Sequence, residues 1–186
     1  MTEVGLSTVV YAWAGPPCIR VTTQSVKHNG KQWLQHKVEA DEGGIGAVAV
    51  VTFAGKHLVV DHFRPAIGRT LTEFPRGFGG APAIETTPEH QACVTGAREL
   101  LEETGIAAST TEFLGYIWPD SGILGSKVAV IAVAAQSAEA VGVHDGETDG
   151  HRWISQKELE GAIRAGEISD GITLAAYALW QAAEAA

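Results

Sequence analysis

Residues 98–106 read Arg-Glu-Leu-Leu-Glu-Glu-Thr-Gly-Ile, and three glutamates crowd the last turns of a predicted helix. Positions i, i+3 and i+4 of a helix share a face, so Glu99, Glu102 and Glu103 fall within one arc. Like charges placed in this way repel one another, and a helix C-terminus also disfavours anions. The pattern therefore favours a helix whose acidic face is opposed by a cation, and Mg²⁺ is the candidate because it prefers carboxylate oxygens.

Composition and charge narrow the class of protein. The 186 residues are 45% hydrophobic and 19% charged, which is typical of one globular domain with a real core. The net charge of −9 and the lack of a basic run argue against a nucleic-acid partner. No stretch is long enough to span a membrane, and the apolar run Val9 to Ala14 follows no basic residue, so we expect neither a membrane partner nor a signal peptide. Cys18 and Cys93 lie in no metal-binding or redox motif, and we expect a cytoplasmic protein.

The first half of the chain is predicted to form strands. Ile19 to Lys27 and Gln32 to Glu39 flank an Asn-Gly turn signal, and Ala47 to Phe53 with Leu58 to Phe63 form a second hairpin. Arg69 to Phe74 is a further short strand that leads into a glycine-rich loop. These segments predict the strands at the centre of a sheet.

A long helix is predicted next. Thr87 suits the N-cap and Pro88 the first helical position, while Gly105 ends the helix after Thr104. We expect its buried stripe to be Cys93, Ala97, Leu100, Leu101 and Thr104. The small residues Ala92, Thr95 and Gly96 are then predicted on the opposite face, where the glycine indicates a packing or ligand constraint.

The second half of the chain continues with strands and ends in helices. The predicted strands are Thr111 to Tyr116, Lys127 to Ala134 and His151 to Ile154. Ser155 and Glu158 make a capping box for a helix from Gln156 to about Ala165, and Asp170 caps a final helix reaching Ala185. Strands followed by helices in this order predict a mixed sheet covered by helices.

The segment Arg98 to Ile106 resembles the second half of the Nudix hydrolase signature. The family's first half has a glycine and a glutamate at spacings that correspond here to Ile84 and His90, and neither matches. The lead-in from Glu73 to Gly77, Glu-Phe-Pro-Arg-Gly, is similar to the family's Glu-Leu-Pro-x-Gly. Gly77 is therefore identified as the family glycine, and the segment before Arg98 is seven residues longer than usual.

The missing glutamate of the signature has two possible replacements. Either Glu85 or Glu89 could stand in for it. Glu89 lies about 15 Å along a straight helix from Glu99, so it suits a helix cap better than a metal ligand.

Two flanking segments are similar to ADP-ribose pyrophosphatase-type Nudix enzymes. Residues 62–69 read His-Phe-Arg-Pro-Ala-Ile-Gly-Arg, which resembles their Gln-Tyr-Arg-Pro-Ala-Val-Gly-Arg, and residues 164–175 resemble their Gly-x-Ile-x-Asp-x-x-Thr-Leu-Ala ending. The resemblance implies an α/β/α sandwich with a mixed β-sheet, preceded by a small N-terminal antiparallel sheet. It also implies that residues 1–43 form strands that join a homodimer and that residues 44–186 form the Nudix hydrolase domain.

Metal ligands follow from the same resemblance. Glu99 and Glu103 are expected to bind Mg²⁺ (or Mn²⁺), Glu102 to share the metal or a bridging water, and the Arg76 carbonyl to add one oxygen. Arg98 is expected to fix a glutamate through a charge-assisted hydrogen bond.

Substrate and proton-transfer residues are assigned with alternatives. Arg64 either holds a substrate phosphate or makes a strand-end ion pair, and Gly77 lies in the substrate loop. Glu147, in the acidic loop 145–149, is either the general base or a solvated carboxylate. Trp33 and Trp118 either stack on a base or belong to the core.

The expected activity is Mg²⁺-dependent hydrolysis of a nucleoside diphosphate linked to another moiety. The small-molecule substrate is expected to be ADP-ribose, which would give AMP and ribose 5-phosphate, or another nucleotide sugar. A nucleoside triphosphate pyrophosphatase and a nucleotide-sugar sensor without catalytic activity are the alternatives.

Overall fold

The computed structural model describes residues 1–15, 17–40, 44–79, 86–142, 146 and 148–185, which form two β-sheets and three helices. In chain order the elements are β1 (Thr2–Val4), β2 (Thr8–Trp13), β3 (Ile19–His28), β4 (Lys31–Ala40), β5 (Gly46–Phe53), β6 (Lys56–Arg64), β7 (Arg69–Glu73), β8 (Arg76–Gly77), α1 (Pro88–Thr104), β9 (Ala108–Ile117), β10 (Val128–Ala135), β11 (Gly150–Ser155), α2 (Gln156–Ala165) and α3 (Gly171–Glu184).

Strands β1 to β4 form an antiparallel sheet of their own. Its central strand is β3, which pairs with β4 along its whole length and with β1 and β2 near its two ends. The β3–β4 turn has Asn29 at φ 49° and Gly30 at φ 76°. Positive φ at both turn residues is what a two-residue type I′ hairpin requires, so the predicted hairpin is confirmed.

The remaining seven strands form the main sheet, in the order β11-β6-β5-β10-β9, with β7 on β6 and β8 on β5. Strands β5 and β10 are parallel, and the other pairs are antiparallel. The predicted mixed sheet is confirmed. Strand β8 pairs with the beginning of β5, where Val48 lies opposite Arg76, and this places the loop before α1 next to the centre of the sheet.

Helices cover both faces of the main sheet. Alternate residues of a strand point to opposite faces, and on β5 Ala49 and Val51 pack in the α1 layer while Val48 and Val50 pack in the α2–α3 layer. All four side chains are fully buried. The predicted α/β/α sandwich is therefore confirmed.

Helix α1 has the predicted ends. The Thr87 hydroxyl accepts a hydrogen bond from the His90 amide, and Gly105, in a left-handed conformation at φ 71°, donates from its amide to the Leu101 carbonyl. A residue with a Cβ would be strained at that φ, which explains why the helix ends at a glycine.

The predicted core face of α1 is confirmed at Leu100 and Thr104, which are buried, and is wrong at Leu101. The small residues face the sheet instead, and Leu101 is 43% exposed. A Cβ on Gly96 would lie 2.1 Å from Cδ1 of Ile131 on β10, so the helix lies too close to the sheet for a larger residue. The buried residues of the helix are Ala92, Thr95, Gly96, Leu100, Glu103 and Thr104.

Helices α2 and α3 follow the sequence signals. Ser155 and Glu158 form the predicted capping box, and one Asp170 carboxylate oxygen accepts hydrogen bonds from the amide and the hydroxyl of Thr173. The Thr173 hydroxyl in turn accepts from the Phe74 amide, which ties α3 to the end of β7. In the part of the chain that the structure describes, we find no helix with the length and hydropathy of a membrane span.

Candidate active site

A cavity of about 560 Å³ lies between the C-terminal half of α1, strand β8, the end of β6 and strand β4. Both sheets contribute to it, because Val38 on β4 donates to the Ile123 carbonyl at 2.8 Å and accepts from the Gly125 amide at 2.9 Å. These two bonds dock the loop between β9 and β10 against the N-terminal sheet. The cavity has three walls, which differ in charge.

The first wall is acidic and comes from α1. Arg98 donates to the Glu102 carboxylate at 2.5 Å, to the Glu99 carboxylate, and to the Phe78 carbonyl at 3.0 Å. One guanidinium thus fixes two carboxylates and ties them to the residue that follows β8. We call Arg98, Glu99 and Glu102 the α1 wall.

The α1 wall approaches β8 most closely at Gly77. A Cβ on Gly77 would lie 2.0 Å from a carboxylate oxygen of Glu99, closer than any side chain can approach. The Glu99 carboxylate therefore lies directly against the backbone of β8, one residue after the Arg76 carbonyl.

Glu103 lies deeper than its two neighbours. It is 2% exposed and does not line the cavity, although it shares the same helical turn. Its carbonyl accepts a hydrogen bond from the buried Thr148 hydroxyl at 3.1 Å, which holds the segment before β11 at the end of α1. The predicted general base Glu147 and its neighbour Asp145 lie outside the described residues.

The second wall is basic and comes from the strands. Glu73, which is completely buried, accepts from Arg64 through one carboxylate oxygen and from Arg76 through the other, the latter at 3.2 Å. His62 Nδ1 is 3.7 Å from the same oxygen that Arg64 contacts. Arg64 makes the ion pair of one alternative and also lines the cavity, and phosphate binding stays a prediction. We call Arg64, Arg76 and Glu73 the strand wall.

Glu73 is the residue of this site that the sequence does not identify. Its place in the Glu-Phe-Pro-Arg-Gly segment marks the family lead-in but does not indicate its partner Arg64, which lies nine residues earlier in the chain. The pairing of β6 with β7 places Glu73 opposite Val60 and Arg64 opposite Arg69, so both side chains lie on one face and the long arginine side chain extends along it to the carboxylate.

The third wall is mostly apolar, with one cation. Val38, Ala40 and Leu124 line it together with Lys127. The Lys127 ammonium lies 3.4 Å from the centroid of the Tyr116 ring, a cation–π contact that fixes the lysine at the cavity.

Family comparison agrees with this geometry. The family described as NUDIX domain matches residues 43–175. The chain belongs to the Nudix family. As the motif predicts, this Nudix protein is a pyrophosphohydrolase.

Solved structures support the Nudix fold. One of them, "Crystal structure of ADP compounds hydrolase", is similar with a TM-score of 0.73 over 97% of this chain and 92% of the other, at 12% sequence identity. A comparison with curated protein sequences gave no significant match.

The Nudix family generally uses divalent metals. Among the described residues, no group of three or more His, Cys, Asp or Glu side chains is placed to hold an ion. Glu99 and Glu102 nevertheless line the cavity, and Glu99 lies against the β8 backbone. Mg²⁺ is usually held by one or two carboxylates, with waters and substrate phosphates completing its shell, so this donor set fits Mg²⁺.

Glu89, Trp33 and Trp118 do not line the cavity. Glu89 belongs to the first turn of α1 and faces Tyr116, where burial and the Glu89 carboxylate raise the pKa of the tyrosine. Its possible substitute Glu85 is outside the described residues. Trp33 and Trp118 are 43% and 57% exposed, so neither belongs to the core, and stacking on a base stays a prediction.

Proposed function

We propose that this Nudix protein hydrolyses a diphosphate bond that joins a nucleoside to another moiety, with ADP-ribose or a related nucleotide sugar as substrate. One observation carries the proposal: an acidic wall and a basic wall face one cavity. A diphosphate bound between them would have the strand wall for its negative charge and the α1 wall for a neutralising cation.

The carboxylates of α1 and the neighbouring Arg98 have different parts in this reaction. The carboxylates of Glu99 and Glu102, with Glu103 as a third carboxylate on the same turn, would hold Mg²⁺ (or Mn²⁺), and the Arg76 carbonyl would add an oxygen ligand. Arg98 orients Glu99 and Glu102 by its hydrogen bonds, so their oxygens converge before the ion arrives. When bound, the ion supplies neutralisation of phosphate charge and activation of the attacking water.

The strand wall and the following loops would bind and orient the substrate. Arg64 donates to a phosphate oxygen, for which a planar guanidinium is well suited. Gly77 lets the substrate and the Glu99 carboxylate approach the backbone. Glu147 is proposed as the base that takes the proton from water, and Thr148 anchors the neighbouring backbone beside Glu103.

Support for the substrate class comes from two sources. The similar solved structure is named as a hydrolase of ADP compounds, and residues 62–69 and 164–175 resemble ADP-ribose pyrophosphatase-type enzymes. ADP-ribose would give AMP and ribose 5-phosphate.

The test is product release from ADP-ribose, other nucleotide sugars and nucleoside triphosphates in the presence of Mg²⁺. We expect turnover of a diphosphate-linked substrate by the native chain and at least a hundredfold loss in Glu103→Gln. Preference for a triphosphate would favour the nucleoside triphosphate pyrophosphatase. Binding of a nucleotide sugar with no turnover of any substrate would favour the sensor.

We also propose that residues 1–43 join two copies in a cytoplasmic homodimer and that residues 44–186 form the hydrolase domain. Support comes from β2, an exposed strand whose Val9, Val10, Tyr11 and Trp13 are each more than half exposed. Cys18 and Cys93 are not joined by a disulfide, in keeping with a reducing compartment. Light scattering after size exclusion should give twice the chain mass of 19.5 kDa, and a monomer would contradict the proposal.

A further inference from the structure

Glu73 is a buried carboxylate to which the reaction described above gives no part. It ends β7 and is 0% exposed, while its two partners Arg64 and Arg76 remain partly exposed at the cavity. A charge is costly to bury unless it is paired, so the position of Glu73 has to be explained by what its partners gain.

The carboxylate holds two guanidiniums in one place. One Glu73 oxygen accepts from Nη2 of Arg64, and the other accepts from Nη2 of Arg76 at 3.2 Å. Arg76 Nη2 is also 3.4 Å from a carboxylate oxygen of Asp170, whose second oxygen caps α3. Both arginines are therefore held from behind by acidic groups that belong to the scaffold.

The two arginines have unused donor capacity. An arginine offers five N–H groups, and the hydrogen bonds of each with the described residues use Nη2 alone. The Nε atoms of both are buried without an acceptor among the described residues. The Nη1 groups of both arginines also make no hydrogen bond with the described residues, so the two side chains that line the cavity keep N–H groups for an acceptor bound there.

We infer that Glu73 is a positioning residue that clamps Arg64 and Arg76 side by side as a binding site for a phosphate group. The inference deepens the proposed function and rests on it for the identity of the substrate. Glu73 touches no substrate itself, and it acts by fixing the direction in which the two guanidiniums donate.

A second ion pair on the same strands offers a matched comparison. Arg152 on β11 donates to Asp61 on β6 at 2.5 Å and to the Thr72 hydroxyl at 3.1 Å. The two side chains are 49% and 34% exposed, and neither lines the cavity. Removal of the Asp61 charge therefore breaks a carboxylate–arginine pair of the same type without touching the strand wall.

The experiment compares Glu73→Gln with Asp61→Asn by calorimetric titration with inorganic pyrophosphate in EDTA, where no metal contributes to binding. We expect Glu73→Gln to weaken pyrophosphate binding about tenfold and Asp61→Asn to leave it within about twofold of native. With ADP-ribose and Mg²⁺, Glu73→Gln should raise KM by a similar factor and change kcat less than about threefold. Equal pyrophosphate affinity in the native chain and Glu73→Gln, or no binding by the native chain, would overturn the inference.

A double variant separates positioning from a general loss of structure. In an Arg64→Ala background, Glu73→Gln should weaken binding much less than it does in the native chain, because one of the groups it orients is gone. An equal, additive loss in both backgrounds would contradict a role through Arg64. If Glu73→Gln does not fold, Glu73→Asp takes its place, and unchanged pyrophosphate affinity in that variant would also overturn the inference.

The outcome for the proposed function is read separately. A native chain that binds pyrophosphate through the strand wall but hydrolyses no substrate would refute the hydrolase proposal and leave the role of Glu73 intact. If the native chain hydrolyses ADP-ribose and Glu73→Gln has the same KM, the hydrolase proposal stands and the role of Glu73 is refuted.

Discussion

The α1 wall and the strand wall use the same two residue types in inverse proportion. On the α1 wall one arginine, Arg98, bridges two glutamates, and its side chain is 45% exposed. On the strand wall one glutamate, Glu73, bridges two arginines, and its side chain is 0% exposed. Counted over these three residues, each wall has one formal charge in excess, negative on α1 and positive on the strands, and Asp170 adds a carboxylate 3.4 Å from Arg76 behind the strand wall.

This difference separates two tasks that a diphosphate requires. A surplus carboxylate can hold a divalent cation, and a surplus guanidinium can hold a phosphate oxygen that the cation does not reach. The residue that orients its neighbours also differs in burial. Glu73, which orients two arginines, is buried, whereas Arg98, which orients two glutamates, is in contact with solvent. We therefore expect changes on α1 to affect metal dependence and the chemical step, and changes on the strands to affect substrate affinity.

The largest effect is expected from Glu99→Gln. The amide keeps the shape and removes the charge, so the variant should lose at least a hundredfold in kcat and require more Mg²⁺. Steady-state rates over a range of Mg²⁺ concentrations measure both quantities. Glu112→Gln, at an exposed position of β9, is the control and should behave like the native chain. Full activity of Glu99→Gln would show that the α1 wall does not hold the metal.

Gly77→Ala should have the next largest effect. The new methyl group would lie 2.0 Å from a Glu99 oxygen, so the carboxylate has to move away from β8, and we expect kcat to fall about tenfold or more. The control is Gly161→Ala in α2, where a Cβ meets nothing within 4 Å and should stabilise the helix by about 1 kcal/mol. Steady-state rates and thermal unfolding of both variants test this prediction. A Gly77→Ala enzyme with native kcat would contradict the placement of Glu99.

Arg98→Lys should have a smaller effect, of about tenfold in kcat. An ammonium cannot reproduce the fork that reaches Glu99, Glu102 and the Phe78 carbonyl together, so the two carboxylates would be held less firmly. Arg152→Lys, which changes a similar fork outside the cavity, is the matched control and should leave kcat unchanged. Similar rates for both variants would mean that Arg98 does not orient the α1 wall.

The smallest effect concerns pH and lies on the far side of the sheet. His57 is buried against the rings of Phe74, Tyr177 and Trp180, and burial lowers its pKa below the model-peptide value of 6.5. The unfolded chain therefore binds a proton at His57 more readily than the folded chain does. The stability that the neutral, buried imidazole contributes is fully present above about pH 6.5 and is lost as the pH falls through the pKa of His57 in the folded state. Thermal unfolding between pH 5 and pH 8 should show less decline in His57→Gln than in the native chain. An identical pH profile in both would remove His57 as the cause, and the comparison keeps pH effects on stability apart from those on the cavity.

Local signals predicted much of the fold. The ends of α1 at Thr87 and Gly105 and the turn at Asn29 depend on neighbouring residues alone, and the structure confirms them. The buried face of α1 depends on how near β10 lies. The contact between Ile131 and Gly96 joins two elements, so the pattern of apolar residues along the helix alone does not predict it.

The candidate site shows the same division. The acidic segment from Arg98 to Gly105 identified the family, since its spacing lies within a single helix. The partnership of Glu73 with Arg64 required β6 to pair with β7, and the sequence left Arg64 between two alternatives. Glu147 lies outside the described residues and stays a prediction.

The most direct measurement compares Glu99→Gln and Arg64→Ala in ADP-ribose hydrolysis as Mg²⁺ is varied. We predict that Glu99→Gln lowers kcat and raises the Mg²⁺ concentration needed for half-maximal rate, while its KM for ADP-ribose at saturating metal changes little. Arg64→Ala should raise KM about tenfold and leave the Mg²⁺ requirement as in the native chain. If the two variants shift the Mg²⁺ requirement and KM together, the two walls do not have separate tasks.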